Sequence, residues 1–61
     1  MMEYRCHFFD ADGRLRTVEA IESETIDGAT SIGIRKLAGK PEAAGFELWL
    51  LECPMRRYVR D

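Results

Sequence analysis

Two sets of residues have types suited to chemistry. Asp10-Ala11-Asp12-Gly13 begins like a calcium loop, and Cys6, His7 and Cys53 are residue types that ligate metals or act as nucleophiles. An EF-hand loop also needs Gly at its sixth position and Glu at its twelfth. Counted from Asp10 those positions are Leu15 and Ile21, so the tetrad reads as a hairpin turn. Asp suits the first position of a type I turn, and Gly suits the fourth, where a left-handed backbone is needed. Cys6 and His7 are neighbours in an extended run and therefore point to opposite faces, so they cannot share an ion. A reactive thiolate requires an adjacent base or cation. Cys6 reads instead as a small buried hydrophobe. A Cys6–Cys53 disulfide is not expected, with one thiol mid-strand and the other in a turn. No catalytic residue, metal ligand or cofactor is predicted. An enzyme would need a pocket that so short a chain can build only between subunits.

A third set is suited to binding. Arg5, His7, Phe9, Glu47, Trp49 and Leu51, with Arg56 and Tyr58, are predicted to share one open face of a sheet. Trp, Tyr and Arg are enriched at binding hot spots, and a contiguous exposed apolar patch needs an explanation. The plainer alternative is that long arginine stems shield Phe9 and Trp49 and nothing else happens there.

Positioning such a face requires particular elements. Residues 3–9 alternate, with Tyr4, Cys6 and Phe8 on the more apolar side. Residues 14–22 form a second extended run. Its apolar residues Leu15, Val18 and Ile21 do not share parity, which implies either a bulge, placed beside Gly13, or an edge strand with a mixed face. Residues 25–38 read as a helix with a stripe of Ile26, Ala29, Thr30, Gly33, Ile34 and Leu37. Ser23 or Thr25 can cap it, Glu24 and Asp27 suit its positive end, and Arg35 and Lys36 suit its negative end. Gly39 and Pro41 stop it. Gly33 lies on the inner stripe, where it lets the helix approach the sheet. A loop at 40–45 leads to a strand at 46–51, with Phe46, Leu48 and Leu50 inward. Cys53-Pro54 is expected to turn the chain into a last strand at 55–60.

The class is α+β, with a ββαββ order in one domain over residues 1–61. The first and third strands are the most apolar. The second and fourth are charged and belong at edges, where charge discourages sheet-to-sheet pairing. A right-handed crossover then gives strand order 2-1-3-4, all antiparallel, with the helix on one face. The expected core is Tyr4, Cys6, Phe8, Ile26, Ala29, Ile34, Leu37, Phe46, Leu48, Leu50 and Val59.

With 61 residues, one domain is the limit, and a single core is marginal at that size. Small scaffolds usually need a disulfide, a metal or oligomerisation. The net charge of −2 runs against a general nucleic-acid binder, although Arg56-Arg57-Tyr58-Val59-Arg60 is locally basic. No apolar stretch approaches membrane-spanning length, the start is unlike a signal peptide, and a cytoplasmic location follows as the default.

Tyr4-Arg5, then His7-Phe8-Phe9-Asp10 and Asp12-Gly13, resembles the opening of a family of short bacterial proteins of unknown function. Glu47-Leu48-Trp49 followed by Arg56-Arg57 resembles that family's ending. The resemblance implies a ββαββ fold and no established activity. Gly28 and Gly33 depart from the family's Ala-rich helix. Two functional classes remain. The first is a self-associating or protein-interaction module, with a homo-oligomer or another protein as partner. The alternative is a single-stranded nucleic-acid-binding module that stacks bases on the open sheet.

Overall fold

The computed structural model describes residues 1–60. Strands β1 (Met2–Phe9) and β2 (Leu15–Ser23) form a hairpin, helix α1 (Ile26–Ala38) crosses over, and β3 (Gly45–Leu50) and β4 (Cys53–Val59) form a second hairpin. The sheet order is β2-β1-β3-β4 and every neighbouring pair is antiparallel, as the contrast between apolar and charged strands implies.

The first turn forms as its residues dictate. The Gly13 amide donates to the Asp10 carbonyl at 2.9 Å, and Gly13 has φ 83, the left-handed region that glycine tolerates best. Asp10 Oδ1 accepts from the amides of Asp12 and Arg14 at 2.9 and 3.0 Å. The Arg14 amide, then the Asp12 amide, hold the Asp10 carboxyl below its usual range. Thr25 caps the helix, its hydroxyl accepting from the Gly28 amide at 3.0 Å. Gly39 closes the helix with φ −92, so no left-handed cap is involved.

The core lies between helix and sheet. Tyr4, Cys6, Phe8, Ala29, Leu37, Phe46 and Leu48 are buried as expected, joined by Ile21 and Ala43. Ile26, Leu50 and Ile32 are partly buried against them. A Cβ on Gly33 would come within 2.7 Å of Phe46 Cζ, so the helix rests on that ring through a residue with no side chain. Two core expectations fail. Ile34 is 40% exposed, because Ala29, Gly33 and Leu37 define the buried line and Ile34 falls to one side of it. Val59 is 52% exposed, because it pairs with Gly45 and so lies on the face away from the helix.

Both edge strands carry a bulge. Phe8 pairs with Thr17 and Phe9 with Leu15, leaving Arg16 as the extra residue, not a position beside Gly13. Leu48 pairs with Arg56 and Trp49 with Pro54, leaving Met55 as the other. Cys53 and Pro54 belong to β4, and the turn they were expected to make falls on Leu51 and Glu52. A paired Cys53 pulls the loop back to these two residues, with Leu51 at φ 58. No described helix is long and apolar enough to cross a membrane.

Candidate functional site: the open sheet face

Opposed residues on adjacent strands share a face, so the register sets out the open side in rows. Ala20, Arg5, Trp49 and Pro54 form one row. Val18, His7, Glu47 and Arg57 form the next, and Leu15, Phe9, Gly45 and Val59 the third. Five of the eight expected surface residues are brought together here: Arg5, His7, Phe9, Glu47 and Trp49.

Three are not. Continuing the β3–β4 hairpin without a bulge would set Arg56 opposite Glu47 and Tyr58 opposite Gly45. The Met55 bulge shifts the pairing by one, and a one-residue shift moves every following side chain to the other face. Arg56 therefore lies on the helix side and donates from Nη1 to Asp27 Oδ1 at 2.7 Å and to Thr30 Oγ1 at 3.3 Å. Tyr58 stacks on Phe46, with ring centroids 5.4 Å apart. Leu51 leaves the face altogether. It is 87% exposed at the turn, past the end of β3.

The same bulge puts Arg57 where Arg56 was expected. Its guanidinium lies 4.4 Å from the centroid of Phe9, and its Nη1 is 3.6 Å from Glu47 Oε2. The other carboxylate oxygen, Oε1, accepts from the Trp49 indole N–H at 3.0 Å. The indole stacks on His7, with centroids 5.2 Å apart and planes 14° off parallel. His7, Trp49, Glu47, Arg57 and Phe9 thus form one connected network. Phe9 is only 8% exposed although it points away from the helix. Its ring crosses Gly45, where a Cβ would approach Phe9 Cζ to 2.9 Å and overlap the Tyr58 carbonyl oxygen. Arginine shielding therefore holds for Phe9, through Arg57.

Sequence reasoning also missed the β2 part of this face. The Arg16 bulge places Leu15 and Val18 here and turns Ile21 into the core. Leu15 is 58% and Val18 42% exposed, and Ala20 extends the strip. The mismatch of parity at Leu15, Val18 and Ile21 was the available signal. A hollow of about 160 Å³ lies between His7, Phe9, Gly13, Leu15, Glu47 and Arg57.

The helix side holds different chemistry. Glu19 accepts from Lys40 Nζ at 2.7 Å and from Lys36 Nζ at 3.0 Å. Those hydrogen bonds, Lys40's first, lower the Glu19 pKa, and the bond to Glu19 raises that of Lys40. Burial, then the nearby Glu19 carboxylate, push the Cys6 thiol up to about 12. Cys6 is consequently a protonated core thiol across the sheet from His7, and both cysteines are free.

No protein-family model, curated protein or solved structure matches this chain.

Proposed function

We propose that the chain is a small, non-enzymatic protein-interaction module that self-associates, and that its open sheet face is presented to another polypeptide surface. One observation carries the reading: Leu15, Val18 and Ala20 form an exposed apolar strip directly beside Phe9, His7 and Arg5 of β1, with Trp49 stacked on His7. Apolar side chains held out by a rigid sheet lose little freedom on contact, which lowers the cost of association. A stable interface hides roughly 600–800 Å² per partner. Covering apolar area at ~25 cal/mol per Å² would support a core this small, before association costs are subtracted. The likeness of the chain to short bacterial proteins of unknown function is part of the proposal and adds no activity, and a cytoplasmic setting suits it. Stacking of single-stranded nucleic acid has less support. Tyr58 and Arg56, an aromatic and a cation that it relied on, face the helix, and Arg57 is engaged by Glu47 and Phe9.

The test is solution mass against concentration by light scattering, for the parent and for Leu15→Ser combined with Val18→Ser. The parent is expected to exceed the mass of one chain and the double variant to fall towards it. A parent that stays at the mass of one chain throughout, with no protein partner captured, ends this reading.

A further inference from the structure

The two edges of the sheet differ in how well they are guarded. β4 contains Pro54, which offers no N–H, the bulge at Met55, and the like charges Arg56 and Arg57, with Arg60 following. These are the devices by which edge strands avoid pairing with other chains. β2 is the longest strand and contains no Pro, Gly or Lys. Its charges, Arg16, Glu19 and Glu22, are of both signs, and Glu19 is paired with Lys36 and Lys40, so they guard the edge less than the like charges of β4 do. Beyond its Arg16 bulge it runs unbroken from Thr17 to Ser23, and among the described residues no turn or loop backbone hydrogen bond covers its outer edge.

β2 is also polarised in charge. Arg14 and Arg16 stand at its start, and Glu22 and Glu24 stand at its end. Among the described residues Glu22 and Glu24 take part in no ion pair, and Arg16 has only a 3.8 Å approach to Asp10. Laid antiparallel against itself, such a strand sets its basic start against its acidic end at both ends of the pairing. The same operation on β4 sets arginine against arginine.

We propose that two copies of this chain join edge to edge along β2, in an antiparallel ladder about a two-fold axis at Ala20, to form one eight-stranded sheet. The proposal rests on the reading that the chain self-associates, and names the surface used. Directly opposed residues must share a face, so the axis passes through a residue pair of like parity. An axis at Glu19 sets two carboxylates opposite each other and draws the Arg16 bulge into the ladder. An axis at Ile21 leaves a shorter ladder. At Ala20 the whole bulge-free segment pairs: Thr17 against Ser23 of the second copy, Val18 against Glu22, and Glu19 against Ile21, with Arg16 reaching Glu24 beyond the ladder. Glu19 enters already neutralised by Lys36 and Lys40. Both helices then lie on one side. The two open faces become continuous on the other, with Leu15, Val18 and Ala20 of each copy at the centre.

The test uses the whole chain and three sets of variants, each first checked for folding by far-UV circular dichroism and Trp49 emission. Ala20→Lys sets two ammonium groups together at the axis. Arg14→Glu with Arg16→Glu makes β2 acidic throughout, and Glu22→Arg with Glu24→Arg makes its two ends basic. By light scattering the parent is expected to be a dimer and each variant a monomer at the concentration where the parent is fully paired. Mixing the acidic and basic variants in equal amounts is expected to restore a dimer. Persistence of the dimer in all three variants, with its loss in Trp49→Ala, overturns edge pairing and leaves self-association through the sheet face. A parent that is monomeric at all concentrations overturns both. Assemblies that grow without limit overturn the two-fold axis and point to β2 of one copy meeting β4 of the next.

Discussion

The two faces of this sheet solve one problem by different means. Beneath the helix, Tyr4, Cys6, Phe8, Ile21, Phe46 and Leu48 are covered by other side chains, and no buried polar side-chain atom lacks a hydrogen-bond partner among the described residues. On the open side nothing overlies the strands, and the aromatics are held by their neighbours in the same layer: His7 by Trp49, Trp49 by Glu47, and Phe9 by Arg57. The first arrangement draws on removal of apolar area from water. The second draws on in-plane stacking and charge-assisted contacts, each worth less because water still competes. The comparison teaches that stability should be concentrated on one face and recognition on the other.

The largest test of that contrast compares adjacent residues. Leu48 and Trp49 are consecutive, yet Leu48 is fully buried under the helix and Trp49 stands on the open side. Leu48→Ala is expected to cost about 2–5 kcal/mol in chemical denaturation, enough to unfold so small a domain. Trp49→Ala should leave a folded protein. If Leu48→Ala melts within a few degrees of the parent, the covered face is not where the stability resides.

Gly33→Ala is the next in size. An exposed Gly→Ala change in a helix gains about 1 kcal/mol. Here the new methyl meets the Phe46 ring, and overpacking typically costs about 1–3 kcal/mol. A net loss of stability by thermal unfolding is expected, and a gain would mean that the helix can lift from the sheet freely.

Glu19 allows a pH test at the margin of the covered face. Its folded pKa lies below the unfolded value because Lys40 and Lys36 hydrogen-bond the carboxylate. The stabilisation is therefore present above the ordinary carboxylate pKa of 4.5 and is lost as pH falls through the depressed folded value. Glu19→Gln is expected to flatten the acid limb of a stability–pH curve while leaving Trp49 emission unchanged. An acid limb as steep as the parent's would show that the pair is silent.

The smallest effects belong to the open face and its turn. Trp49→Ala is expected to cost about 1 kcal/mol, the scale of a single aromatic pair. Leu51→Gly is expected to stabilise by up to about 1 kcal/mol, since Leu51 is in the left-handed region with its side chain in water. Urea titration of both variants checks the pair.

Legibility in the sequence followed the same division. Turn chemistry at Asp10 and Gly13, the cap at Thr25 and the parity of β1 and β3 are local signals that place the first hairpin, the helix and most of the core, and the contrast between apolar and charged strands gives the strand order. Faces of the edge strands are not local. Arg16 and Met55 each interrupt the alternation, and neither is a residue type that announces a bulge. Alternation read straight through Met55 puts Arg56 and Tyr58 on the open side, where Arg57 in fact stands. Alternation alone could not reconcile Leu15, Val18 and Ile21, and the bulge at Arg16 sets Leu15 and Val18 together on the open side and Ile21 in the core. Ile34 shows the corresponding limit for helices: its spacing permits burial, but the narrow approach at Gly33 fixes which line of residues meets the sheet.

Those two bulges have a consequence for how this chain tolerates losing a residue. Deleting a position inside a regular strand turns everything beyond it inside out, because the faces alternate with every step. Arg16 and Met55 are counted in the chain but skipped in the ladder: Thr17 and Leu15 already meet consecutive residues of β1, and Arg56 and Pro54 already meet consecutive residues of β3. Removing either one closes a gap and changes no partnership. In a scan of single-residue deletions through the strands, these two sites should stand apart as survivors, while removal of His7 or Glu47, from central strands whose mutual pairing skips no residue, should unfold the protein.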